Sequence, residues 1–240
     1  MSKLYVFVVT ICCLAWPCDV KALSHVEGLS VLKNKGFQPK VVYDIGAFHG
    51  DWTTSISSLF KDAQFFLFEA NEVNEQHLQK KGFPYFIKVL GNYEGPAIFY
   101  SINGTGDSLL REQTYHYTDN RCEKKLVQVT TLDNLVRENR LPLPDLIKMD
   151  VQGAETMIIQ GGEAVVCNAE VIILEIKILE YNENAPLIYE TMTIMDRLGY
   201  QVLDIVELHY LRQNELFEVD LLFAKKESLL IRRGTLITEN

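Results

Sequence analysis

With 240 residues, 48% of them hydrophobic, the chain has the length and apolar content of one globular domain, and no repeat or low-complexity block divides it. The formal net charge is -9 and the basic residues come as scattered pairs such as Lys80-Lys81 and Arg232-Arg233. That excludes the clustered basic face needed to displace phosphate counterions, so a nucleic-acid partner is disfavoured.

The first residues differ from the rest. Lys3 precedes the apolar run Leu4 to Trp16, and Val20-Lys21-Ala22 offers the small residues a signal peptidase reads. This layout predicts residues 1–22 as a leader and export of the mature chain; an extra N-terminal helix on a cytoplasmic protein is the alternative. The run is too short for a membrane span, and no other stretch approaches about 18 uninterrupted apolar residues. Without the leader only Cys122 and Cys167 remain, enough for one disulfide at most. Residues 23–226 are then predicted as one domain and residues 227–240 as a loosely held tail.

Leu29 to Gly36 reads as a short helix, and Val41 to Ile45 as a buried parallel strand with Asp44 near its carboxyl end. Gly46-Ala47-Phe48-His49-Gly50 follows as a turn into a helix from about Trp52. A nicotinamide fingerprint would place a glycine at position 48, where Phe48 stands; Asp44-x-Gly46-x-x-x-Gly50 instead suits a nucleoside cofactor without phosphate and with a cationic amino-acid end, such as S-adenosylmethionine. The next strand, Gln64 to Phe68, ends at Glu69, where doubly wound folds place the carboxylate that holds a ribose. Asn74 to Lys81 is read as a helix and Tyr85 to Leu90 as a third strand ending at Gly91-Asn92.

Ala97 to Ile102 reads as a further strand, possible as an antiparallel return, and Asn103 to Lys125 as a long polar loop over the strand ends, a candidate lid that includes His116. Leu126 to Thr130 is read as a strand and Leu132 to Arg140 as a helix. Leu146 to Met149 is again strand, with Asp150 at its tip, Gly153 in a turn and a helix over Ala154 to Gln160. Val171 to Ile176 is a strand with Glu175 near its end, and a helix runs from about Pro186 to Leu198. Tyr200 to Val206 and Val219 to Ala224 close the sheet as an antiparallel pair. The histidines never fall at i, i+4 or beside cysteines, so no metal site is readable. Nor is a Gly-x-Ser-x-Gly elbow or a phosphate-binding loop present.

Taken together, Asp44-Ile-Gly-Ala-Phe-His-Gly50, Phe68-Glu-Ala70, Val129-Thr-Thr-Leu-Asp133, Ile147-Lys-Met-Asp-Val-Gln-Gly-Ala-Glu155 and Gln160-Gly-Gly162 resemble the FkbM family of S-adenosylmethionine-dependent methyltransferases. Leu174-Glu-Ile176, Leu198-Gly-Tyr200 and Val219-Asp-Leu-Leu-Phe223 extend the likeness to nearly the whole mature chain. The resemblance implies a doubly wound, Rossmann-like class I fold, α/β, with a mostly parallel seven-stranded sheet and an antiparallel C-terminal strand pair. It implies methyl transfer to an oxygen, often a hydroxyl of a sugar or small metabolite. Carried over by position, Asp44, Gly46 and Gly50 line the methionine end of the cofactor, Glu69 meets the ribose hydroxyls and Asp150 faces the acceptor. Ala47 and Asn92 complete the candidate cofactor set. The chain departs from the family pattern at Phe48, where the family carries Asn, and at Ala70, where it carries Pro.

Asp150 and His49 are the candidate catalytic residues. The bland alternatives are a helix N-cap for Asp150 and a turn residue without a role for His49. Glu155 suits a helix N-terminus, and Lys148 with Glu175 could form a buried ion pair. An exported binding protein on a degenerate methyltransferase fold and a nicotinamide oxidoreductase are the competing classes, with a small-molecule or glycan acceptor expected for the enzyme. Neither the acceptor nor the oligomeric state is legible.

Overall fold

The computed structural model describes residues 22–113, 122–212 and 214–231; all but the last residue of the leader predicted over 1–22, the stretch 114–121 of the candidate lid with His116, and the tail from 232 lie outside these. The described chain forms a seven-stranded sheet and a three-stranded one. In chain order the large sheet uses β1 (Val41–Ile45), β2 (Gln64–Glu69), β3 (Tyr85–Ile87), β7 (Leu146–Met149), β8 (Val171–Lys177), β9 (Tyr200–Tyr210) and β10 (Leu216–Lys225). Their spatial order is β3-β2-β1-β7-β8-β10-β9. The first five pair in parallel, and β10 runs antiparallel to both β8 and β9.

Strand alternation sorts the core onto two faces. Tyr43, Ile45, Phe68, Ile147, Met149 and Leu174 point to the face covered by α4 (Leu132–Asn139), α5 (Glu155–Gly161), α6 (Glu163–Val166) and α7 (Ile188–Arg197). Val42, Leu67, Leu146 and Ile173 point to the face covered by α1 (His25–Asn34), α2 (Asp51–Ser57) and α3 (Glu75–Lys81). Helices on both faces explain why β1, β7 and β8 are buried along their whole length and are mostly apolar, interrupted by the buried charges Asp44, Lys148, Glu175 and Lys177.

Several boundaries differ from the sequence reading. The third strand is two: β3 joins the large sheet, whereas β4 (Val89–Gly91) turns away at Lys88 to pair with β6 (Glu123–Thr131), which in turn pairs with β5 (Gly95–Ser101). The antiparallel return of β5 is therefore real but belongs to the small sheet. The helix expected from Leu29 begins at His25, because Ser24 and Glu27 form a reciprocal capping box there. Strands β9 and β10 are longer than expected and the link between them correspondingly short. After β10 the chain stays docked: Ser228 Oγ donates to Glu170 Oε1 (2.7 Å) and Leu230 is buried. Cys122 and Cys167 are both free thiols. No helix among the described residues is long and apolar enough to cross a membrane.

Candidate active site

Strand order reverses between β1 and β7, and the crevice outside the carboxyl ends of such strands is where an open α/β sheet takes its ligand. A cavity of about 460 Å³ lies there, within the size range of small-molecule sites. One wall is the turn after β1. Gly46 has φ +79, and a Cβ on it would stand 1.8 Å from the carbonyl oxygen of Asp150. Only glycine lets this turn touch the turn after β7. Phe48 also has positive φ (48°), an outlier for a bulky side chain. It is held there by its own N–H, which donates to Glu69 Oε2 at 2.8 Å. Its ring lines the cavity without filling it and stacks on His49, which stacks in turn on His77.

Glu69 closes β2 on the same wall. Its Oε1 accepts from Asn71 N–H (2.8 Å) and Asn74 Nδ2 (3.2 Å). Three of a carboxylate's roughly four acceptor positions are thus taken by the protein, leaving capacity for a ligand hydroxyl. Burial raises its pKa, opposed by the Asn71 and Phe48 amides.

Asp44 is differently placed. It shares the parity of Val42 and points beneath the turn toward α2, where Thr53 Oγ1 donates to its Oδ2 (2.7 Å). It is 1% exposed, and Oδ1 has no hydrogen-bond partner, with Lys148 Nζ 3.9 Å away. Burial raises its pKa against the pull of Lys148. Gly50 serves as the left-handed N-cap of α2, and Asn92 is exposed with its Nδ2 donating to Gln160 Oε1 (3.1 Å). The structure therefore brings Gly46, Ala47, His49, Glu69 and Asp150 to one cavity; Asp44, Gly50 and Asn92 are not among its lining residues.

The opposite wall is built on the turn after β7. Asp150 accepts from Lys148 Nζ (3.1 Å) and from Gln152 Nε2 (2.9 Å), so it does not cap a helix. Nor is α5 capped by a side chain: Glu155, its first residue, reaches back and accepts the Val151 and Gly153 amides of the turn on Oε1. Burial pushes the Asp150 pKa up most strongly, but the Lys148 charge and the hydrogen bonds from Gln152 and Lys148 together hold the carboxyl below its ordinary value. Lys148 pairs with Asp150 and not with Glu175, which bonds Lys177 instead (2.6 Å). Gln152, with φ 57, also donates to Glu175 Oε1 (3.0 Å) and accepts from Tyr181 OH (2.7 Å). Strained backbone of this kind concentrates at ligand sites.

The part of the polar loop just after β5 does lie against the cavity, through Gly104, Thr105, Asp107, Ser108 and Leu109. Asp107 anchors it by accepting from Asn71 Nδ2 (2.6 Å) and Ser101 Oγ (2.7 Å), and Ser108 Oγ donates to the Gln152 carbonyl (2.9 Å). Sequence reasoning missed Gln152, Tyr181, His209 and Glu218. Gln152-Gly153 after an acidic strand tip was the one local signal available; the others are distant in sequence. Two groups, His25 with Glu207 and Asp220, and Glu175 with His209 and Glu218, bring possible ligand atoms within 4.8 Å of one another, a clustering no spacing revealed.

A parallel sheet with one reversed strand slotted in beside its last member, and a crevice at the β1/β7 switch, is the class I methyltransferase architecture. The chain belongs to the FkbM methyltransferase family: the profile of the methyltransferase FkbM domain matches residues 44–202. The family's methyl donor is S-adenosylmethionine, and the cavity size and the open acceptor position on Glu69 fit it. A comparison with curated proteins finds no match. Among solved structures, an FkbM methyltransferase from Methylobacillus flagellatus KT is similar at 14% identity and TM-score 0.46, over 77% of this chain and 43% of that one. A precorrin-6y C5,15-methyltransferase from Geobacter metallireducens GS-15 shares 15% identity at TM-score 0.45, over 83% of this chain and 86% of that one. Magnesium protoporphyrin IX methyltransferase from Synechocystis PCC 6803, solved with its methyl donor, shares 10% identity at TM-score 0.49, over 83% and 77%. Identities this low concern the fold alone.

Proposed function

We propose that this protein transfers the methyl group of S-adenosylmethionine to a hydroxyl oxygen of a sugar or other small metabolite. The observation that carries the reading is the joining, on one cavity of about 460 Å³, of the Glu69 carboxylate at the tip of β2 and the Asp150 carboxylate at the tip of β7. In this reading Glu69 accepts from the ribose hydroxyls, while Gly46 and Ala47 let backbone approach the methionine end. Asp44 acts from behind that turn, as a buried negative charge under the sulfonium. Asp150, fixed by Lys148 and Gln152, accepts from the acceptor hydroxyl, and His49 stands on the cofactor side. The bound cofactor supplies an electrophilic methyl carbon. What the chain adds is the alignment of the acceptor oxygen with that carbon, and positioning of this kind can supply much of a rate enhancement.

A small hydroxylated acceptor is favoured over a polyanion because Asp150, Glu175 and Glu218 line the cavity, and the chain carries a net charge of -9. The test is calorimetric titration with S-adenosylhomocysteine, followed by label transfer from methyl-tritiated S-adenosylmethionine to a panel of monosaccharides and hydroxylated metabolites. Glu69→Ala is expected to weaken cofactor binding at least tenfold with the fold intact. Saturable binding of NAD in place of the adenosyl ligand would overturn the assignment.

A further inference from the structure

A methyl acceptor hydroxyl must shed its proton, and Asp150 is poorly suited to take it. Lys148 and Gln152 engage both its oxygens, and a carboxyl held below its ordinary pKa is a weak base. His49 lies in the cofactor turn, sandwiched between Phe48 and His77.

Another histidine is better placed. His209 sits near the rim end of β9 and its ring lines the cavity, with Phe217 edge-on beside it. Its Nε2 is 3.2 Å from Asp220 Oδ1, on the neighbouring strand β10. Asp220 is 4% exposed, and its other oxygen lies 2.7 Å from His25 Nε2 on α1. Trp52 settles the hydrogen positions. Its indole N–H can only donate, and it reaches His25 Nδ1 at 2.8 Å. His25 Nδ1 is therefore bare, His25 Nε2 carries the hydrogen, and Asp220 accepts from it. The remaining oxygen of Asp220 orients His209 with its hydrogen on Nε2. No hydrogen bond of the His209 Nδ1 atom exists among the described residues, so its lone pair is left for a molecule in the cavity.

The same hydrogen positions argue against a metal in either cluster. A metal on His25 Nε2 would need the hydrogen moved to Nδ1, where Trp52 already donates. Between Glu175 and Glu218 the Lys177 ammonium stands 2.6 and 2.9 Å from the two carboxylates and takes the place a cation would want.

We propose that His209 is the general base of the reaction, with Asp220 as its positioning residue and His25 and Trp52 locking that carboxylate. The proposal rests on the hydroxyl-acceptor reading above. As the acceptor oxygen bonds to the methyl carbon, the carbon–sulfur bond breaks with its electron pair left on sulfur. The hydroxyl proton passes to His209 Nδ1, and S-adenosylhomocysteine leaves neutral at sulfur. Positive charge thus moves from the sulfonium to the imidazolium, which Asp220 faces directly and Glu207 and Glu218 face from β9 and β10.

The experiment has three arms. In wild-type protein selectively labelled with ¹⁵N at histidine and loaded with S-adenosylhomocysteine, the His209 ring is expected to show a protonated Nε2 and a bare Nδ1; the reverse tautomer overturns the proposal. Asp220→Asn is expected to lower the His209 titration midpoint, and an unchanged midpoint counts against the dyad. His209→Gln is expected to bind S-adenosylhomocysteine within about threefold of wild type and to lose roughly 100-fold or more in kcat for label transfer, with little change in KM for the donor. A kcat within threefold of wild type sinks the base assignment while leaving methyl transfer standing. A wild type that binds the cofactor but labels no hydroxyl compound removes the acceptor reading instead, and the ring tautomer then decides alone.

Discussion

Asp44 and Lys148 are direct register partners on the adjacent parallel strands β1 and β7, and the Lys148 ammonium lies between the Asp44 and Asp150 carboxylates, 3.9 and 3.1 Å away. Burial works against the lysine's charge, yet the two carboxylates hold its pKa above the ordinary lysine range. One buried cation therefore ties the end of β1, beneath the glycine turn, to the tip of β7. Lys148→Met would leave Asp44 buried and unpaired, a change that typically costs about 3 to 5 kcal/mol. Urea denaturation should show a loss of that order, and the double variant Asp44→Asn/Lys148→Met should recover a large part of it. A double variant as unstable as the single one would show that the pair is not the cause.

Gly46 gives a sharper test of the site's geometry. Its φ of +79 and the 1.8 Å approach to the Asp150 carbonyl leave no room for a methyl group, since the obstacle is backbone and cannot swing aside. Gly46→Ala is expected to cost about 3 kcal/mol or more and to weaken S-adenosylhomocysteine binding at least tenfold by prising the two turns apart. Gly104→Ala, also on the cavity wall but with only Ile102 side-chain atoms 3.5 and 3.6 Å from the added carbon, should stay within about 0.5 kcal/mol of wild type. Equal behaviour of the two variants would contradict the geometry.

The parts of this site that were legible in the sequence are those set by local pattern. A short β-branched and aromatic run followed by a glycine turn located β1, and the blocks around Glu69 and Asp150 located the tips of β2 and β7. Which way a tip residue faces was harder, because it depends on strand parity. Asp44 alternates with Tyr43 and Ile45 and so turns to the α2 face, out of the cavity wall. Tyr85 to Leu90 looked like one strand because all of its residues but Lys88 are apolar and mostly aromatic or β-branched; that the chain changes sheets at Lys88 is decided by β6, whose residues come much later. The His25–Asp220 contact joins residues 195 apart, and the pairing of His209 with Glu218 is a register of β9 on β10 that no spacing rule fixes. Lys148 was correctly expected to be paired, but its partner could not be chosen without knowing that Lys177 stands nearer Glu175.

Phe48 can be judged by magnitude. Relief of a left-handed bulky residue by Asn, which tolerates that region, is worth about 1 to 2 kcal/mol, and the lost ring stacking on His49 costs about 0.5 to 1.5. The two nearly offset, so Phe48→Asn should move stability by less than about 1 kcal/mol. The added amide can hydrogen-bond a ligand in the cavity that Phe48 lines, worth about 1 kcal/mol, or roughly fivefold in affinity. Calorimetry with S-adenosylhomocysteine reads this directly, and weaker binding would mean that the phenyl ring itself contacts the cofactor.

Glu175 supplies the pH test. Burial raises its pKa well above the usual carboxyl value, and Asp150, Glu218 and Glu155 add to the effect against the pull of Lys177, which must serve two carboxylates at once. A carboxyl whose folded pKa is raised contributes stability that is fully present below its unfolded pKa of about 4.3 and is lost as pH rises through the folded value. The stability of wild type relative to Glu175→Gln, which has no such ionisation, should therefore fall between about pH 4.3 and the raised pKa, by up to about 1.4 kcal/mol per pH unit. The lost Lys177 contact adds only a constant offset as long as that ammonium stays paired with Glu218. Urea midpoints for both proteins at intervals from pH 5 to pH 8 give the slope, and the slope decides. A difference that stays flat from pH 5 to pH 8 would mean that Lys177 holds Glu175 ionised throughout, and that this side of the cavity carries a fixed negative charge over that range.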